Sequence, residues 1–100
     1  MVKFRDWECE VSVESYADNG NTALQLYTEE DGPIATATVN IGVKLPKDLA
    51  YIKDYSENEG MLDALQEAGI VIGIFSYAPL GFVDVPLCKL DLKKLGVEDA

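Results

Sequence analysis

The chain has 100 residues, 48% of them hydrophobic and 26% charged, and its 18 acidic residues against 8 basic ones give a formal net charge of −10. That length fits one domain spanning residues 1–100, and the charge sets the chain against phosphate backbones and anionic lipid surfaces, which excludes ordinary nucleic-acid binding. No apolar run approaches the roughly 20 residues that a membrane-spanning helix needs, and Arg5 and Asp6 interrupt the start before a signal-peptide core forms, so the expected setting is cytoplasmic, without membrane contact.

From Trp7 to Tyr16 the apolar series Trp7, Cys9, Val11, Val13 alternates with Glu8, Glu10, Ser12 and Glu14, the period of two of a half-buried strand. Asp18-Asn19-Gly20-Asn21 supplies turn chemistry, and alternation resumes over Thr22 to Thr28, which predicts a hairpin. Glu29 to Gly32 marks a second turn, and the β-branched run Ile34 to Val39 predicts a third antiparallel strand. Residues 40–48, broken by Asn40, Gly42 and Pro46, read as an exposed connection, and Leu49 to Tyr55 as a short strand.

Ser56-Glu57-Asn58-Glu59 has the spacing of a capping box, in which the Ser56 hydroxyl accepts from the Glu59 amide and the Glu59 carboxylate returns to the Ser56 amide. A helix over residues 57–68 follows, with Met61, Leu62, Leu65 and Ala68 on one face and Gly69 as a left-handed C-cap. Gly60 in its first turn costs about 1 kcal/mol relative to Ala. Ile70 to Phe75 is apolar on both faces and predicts a central strand under the helix. Phe82 to Leu92 predicts a last strand, with Pro86 marking an edge or a bulge, and residues 93–100 read as a frayed end. The expected fold is α+β: an antiparallel sheet of about five to six strands with one helix packed on a face.

The absence of histidine removes the usual general base and the commonest metal ligand, and with it every imidazole-dependent triad. Cys9 and Cys88 lack C-x-x-C partners and sit among apolar residues, so they read as packed thiols rather than as a bridge. Asp54-x-Ser56-x-Asn58 matches the first ligands of a calcium loop, but Glu59 stands where glycine is needed and Leu65 where the bidentate glutamate is needed. No glycine motif for phosphate is present. The expectation is therefore a protein without enzymatic activity, metal or cofactor.

Acid placement is the main functional pattern. Asp6 to Val43 holds eight acidic residues and no basic one, and Asp54 to Glu67 holds five more. Glu8, Glu10 and Glu14 on one strand face repeat at roughly 6.5–7 Å per two residues, near the phosphate spacing of a nucleic-acid strand. Such a row is either a docking face for a basic protein or a solvated surface that confers solubility. The candidate protein-binding residues are Glu8, Glu10, Glu14, Asp54, Glu57 and Glu59, with Tyr55 as an aromatic anchor. Trp7 and Phe75 read as core, while Tyr16, Tyr27 and Tyr55 fit core or interface equally.

The stretches Phe4 to Cys9, Ile34 to Asn40, Ile52 to Leu62 and Gly81 to Val83 resemble a family of small uncharacterised proteins of bacteria, phages and mobile elements, with Ile52 to Leu62 the most specific segment. The resemblance implies a host-interaction or defence-counteracting setting and carries no activity. Together with the charge pattern it gives the first expectation, a binder of a basic host protein. The alternatives are a domain that forms a homodimer or larger homo-oligomer through a strand edge and the Phe75 to Phe82 segment, and a small-molecule binder in a crevice between sheet and helix.

Overall fold

The computed structural model describes residues 1–97. Eight strands, β1 (Val2–Phe4), β2 (Trp7–Ser15), β3 (Thr22–Thr28), β4 (Gly32–Thr36), β5 (Thr38–Val39), β6 (Leu49–Ile52), β7 (Val71–Leu80) and β8 (Val83–Leu90), accompany one helix, α1 (Met61–Glu67). They form two four-stranded antiparallel sheets, ordered β1-β2-β3-β4 and β5-β6-β8-β7. The α+β expectation holds in outline, but the described residues form two sheets rather than one and eight strands rather than five to six.

The extra strands have identifiable causes. Ile34 to Val39, expected as one strand, is divided at Ala37. The Ala37 N–H donates to the Leu24 carbonyl at 2.8 Å, and the Ala37 carbonyl accepts from Lys53 N–H at 2.9 Å. Ala37 is fully buried, and the chain passes there from the first sheet to the second. β1 escapes sequence reading because its turn into β2 contains no glycine or proline: Arg5 itself takes φ +56°, held with its guanidinium over the Phe4 ring.

Residues 40–48 form the irregular, largely exposed connection expected, and side chains pin it in place. Asn21, buried, accepts from the Leu45 N–H at 2.9 Å and donates to the Val43 carbonyl at 2.6 Å, and Thr22 Oγ1 donates to the Lys47 carbonyl at 2.8 Å. The side chain supplies the partners that an irregular backbone lacks. Toward the end of the described chain, Asp91 to Val97 closes as a single turn: Gly96 at φ +75° lets the Val97 N–H reach the Leu92 carbonyl at 2.9 Å, and Leu95 packs on the core. That part of the expected frayed end is ordered, while residues 98–100 lie outside the described residues.

The buried side chains form one cluster fed by both sheets and the helix, including Val2, Cys9, Leu24, Leu26, Ile52, Met61, Leu65, Val71 and Leu90. The α1 helix packs on β1 and β7. Both cysteines are free and buried within it, and burial pushes their thiols up, Cys88 to about 11 with the nearby Asp54 charge adding to the effect.

Candidate functional site

The acidic strand is placed as its alternation requires. Cys9 points into the core, while Glu8, Glu10 and Glu14 are exposed on the opposite face of β2. Their cross-strand neighbours follow from register: Lys3 stands opposite Glu8, Tyr27 opposite Glu10, and Ala23 opposite Glu14. None of the three glutamates forms an ion pair among the described residues. Ser12, between them, donates its hydroxyl to the Glu14 carboxylate at 3.3 Å. The row is therefore continuous and solvated, and Lys3 is the one base set directly against it.

The four candidates near the helix have other duties. Asp54, not Ser56, caps α1: its Oδ1 accepts from the Gly60 N–H at 3.1 Å and the Leu62 N–H at 2.9 Å. Ser56 to Asn58 forms a 3₁₀ turn instead of the first helical turn, Ser56 takes φ +54°, and its hydroxyl makes no capping bond. The expected capping box is absent and the helix starts at Met61, because Gly60 at φ +96° breaks the helical path between the two turns. The C-terminal expectation is met: Gly69 at φ +76° allows Ile70 N–H to reach the Leu65 carbonyl and Gly69 N–H the Gln66 carbonyl.

Glu57 pairs with Lys53 at 2.8 Å, a hydrogen bond that holds its carboxyl below the ordinary range and raises the Lys53 ammonium. Lys53 also lies over the half-buried Tyr55 ring, 5.6 Å from its centre. Glu59 is exposed, and its backbone carbonyl accepts from Arg5 at 3.5 Å. Asn58 is buried and donates to the Thr36 carbonyl at 2.6 Å, tying this loop to the end of β4. Asp54 and Asn58, the calcium-like positions, are thus committed to backbone partners. No group of three metal-ligating side chains occurs among the described residues. The strand row lies on β2 and the loop carboxylates lie at the start of the helix, and no hydrogen bond or ion pair among the described residues joins the two groups.

A surface that charge reading passed over lies on β7. It is the last strand of the second sheet, not a central strand, and among the described residues its outer edge has no neighbouring strand. Only Val71 of its ten residues is buried. Phase shifts against β8 between Val71 and Gly73, and between Ile74 and Ser76, insert Ile72 and Phe75 as bulged residues. Phe75 is 63% exposed, Tyr77 59% and Ile72 56%, and Phe82 at the hairpin tip is wholly exposed. Phe75, expected in the core, is therefore surface. Trp7 is also 39% exposed, since it opens β2 opposite Phe4 at the rim of the first sheet. The signal available in the sequence was that residues 68–83 contain no Asp, Glu, Lys or Arg.

At the base of the same hairpin an open cavity of about 760 Å³ has Ile72, Leu90, Leu92 and Val97 as its apolar walls and Asp48, Lys89, Asp91 and Lys93 as its charged ones. Lys89 and Asp48 pair at 2.6 Å, and that hydrogen bond holds the Asp48 carboxyl below its ordinary range. Pro86 of β8 is buried and faces Tyr77, one position beyond Leu87, where the β6 ladder ends. The missing N–H thus falls where β8 has lost its second neighbour. No helix among the described residues is long and apolar enough to cross a membrane.

Comparison with known proteins finds no matching family model, no matching curated protein and no matching solved structure.

Proposed function

We propose that this chain works by binding rather than by catalysis, as a small interaction domain that assembles through the free edge of β7. One observation carries the reading: a ten-residue edge strand and its turn expose Ile72, Ile74, Phe75, Tyr77 and Phe82 within a stretch that bears no charge. Soluble domains blunt such edges with charged side chains, proline or bulges; β7 has two bulges and Pro79 but no charged side chain, and contiguous exposed apolar area is characteristic of contact surfaces. Sedimentation over a range of concentrations tests it. The expected result is a reversible assembly that persists or tightens at about 1 M salt, where ionic contacts are screened. A monomer at every concentration and salt level would refute it.

The outer row Glu8, Glu10 and Glu14 supports a second reading, a salt-sensitive contact with a basic host protein, because all three carboxylates are exposed on one face without ion-pair partners. In this reading Asp54, Tyr55, Glu57 and Glu59 no longer act as one anionic patch with the row, since Asp54 caps the helix and Glu57 is paired with Lys53. Capture from lysate at low salt, with and without reversal of Glu8, Glu10 and Glu14 to Lys, decides it. Equal capture by both chains would remove the row from consideration. The phage or mobile-element setting implied by the resemblance accords with either mode of binding.

A further inference from the structure

We infer that the partner on the β7 edge is a second copy of this chain, and that Phe82 of each copy seats in the cavity at the base of the other's β7–β8 hairpin. The inference rests on the assembly reading above and gives it a geometry.

Charge selects the occupant. Two chains of net charge −10 repel, and the segment from Ala68 to Val83 is the longest stretch on which they can meet without setting carboxylate against carboxylate. A basic partner would instead be drawn to the glutamate row on β2. A neutral apolar strand suits another neutral apolar strand, and its own copy supplies one at matched length.

Geometry selects the contact. A closed pair of identical chains is related by a two-fold axis, so that residue i meets j and j meets i. Edge strands paired this way run antiparallel, which brings the tip of one hairpin to the base of the other. With the axis near Tyr77, Ile72 and Phe82 lie at equal distances along the chain on either side of it. Phe82 of one copy then arrives beside Ile72 of the other, and Ile72 is a wall of the 760 Å³ cavity. The remaining apolar walls, Leu90, Leu92 and Val97, suit an aromatic ring; of the charged residues in the lining, Lys89 is paired with Asp48, and Asp91 and Lys93 bring one charge of each sign. Pro79 has no N–H to offer and is tolerated because it stands in an edge strand, at the loss of one ladder bond per copy. Covering the exposed aromatic and aliphatic side chains of both copies removes at most roughly 1,300 Å² from water, at the lower end of stable interfaces, so the dimer should be reversible.

The test uses the full chain, first without substitution and then as the Phe82→Asp variant. In a 1:1 mixture of isotopically labelled and unlabelled protein, filtered proton–proton contacts are read between copies. The expected result is contact from the Phe82 ring of one copy to the methyl groups of Ile72, Leu90, Leu92 and Val97 of the other, with the Phe82→Asp variant dissociating at least about tenfold more readily. A dimer whose intermolecular contacts join Tyr77 to Tyr77 while Phe82 makes none, or which tolerates Phe82→Asp, overturns the seating of Phe82 and leaves the edge assembly standing. A dimer whose contacts lie wholly outside β7, or a chain that stays monomeric at millimolar concentration, overturns both.

Discussion

The helix cap comes from Asp54 and not from Ser56, whose spacing suggests it. Ser56 and Glu59 have the separation of a capping box, yet a capping box needs the intervening residues in one helical turn, and Gly60 at φ +96° makes that turn discontinuous. Asp54 reaches past the break to the Gly60 and Leu62 amides. Asp54→Ala should therefore destabilise the protein by about 1–2 kcal/mol in urea unfolding, with Asp54→Asn recovering much of the loss because an amide oxygen can still accept. Ser56 gives the opposite sign. It holds a left-handed φ without capping anything, so Ser56→Gly should stabilise by up to about 1 kcal/mol, where a true N-cap would lose stability. Asp48 supplies the pH dependence. Its carboxyl, hydrogen-bonded by Lys89, titrates below the ordinary value of 3.8, so the stabilisation is complete above that value and vanishes as pH falls through the folded one. Thermal melts of Asp48→Asn should fall below wild type at neutral pH and converge with it once the pH is below the depressed value of the folded state.

At the scale of elements, legibility followed amphipathic alternation. The β2–β3 hairpin was readable because Glu8 to Glu14 and Thr22 to Leu26 alternate cleanly, one face core and the other solvent. Ile70 to Phe75 was misread because an uninterrupted apolar run marks a strand covered on both faces only when the fold covers it, and in a monomer this one is an edge. The two bulges then turn Ile72 and Phe75 outward, a shift of phase that no single-strand pattern contains. The two environments within β7 separate on mutation. Val71→Ala, at 3% exposure, should cost about 1–3 kcal/mol, while Phe75→Thr on the same strand should change the stability of the monomer by less than about 0.5 kcal/mol. Denaturant unfolding at concentrations low enough to keep the chain monomeric compares them. Equal losses at the two positions would put Phe75 back in the core.

On the scale of the whole molecule, charge and apolar surface are segregated: the outer face of the first sheet carries the glutamate row, and the free edge of the second carries the uncharged strand. The single crossing at Ala37 joins the sheets covalently, and the shared core holds them together. This division could not be read from composition, which reports the net charge and not that Asp54 has been drawn into capping and Glu57 into pairing while Glu8, Glu10 and Glu14 stay without ion pairs. A row of like charges on neighbouring outward positions works against the folded state, and with Lys3 as the only base set opposite, the repulsion is largely uncompensated. Replacing Glu8, Glu10 and Glu14 together by Gln keeps the shape and removes the repulsion. The triple variant should melt about 2–5 °C above wild type at low ionic strength, and the gain should shrink as salt approaches 1 M, where the Debye length falls to about 3 Å. If the same variant assembles as wild type does but loses salt-sensitive capture of basic proteins, the two surfaces act independently, one for self-contact and one for a partner. A triple variant no more stable than wild type at low salt would mean that the carboxylates are already far enough apart, or sufficiently solvated, for the row to carry no cost to the fold.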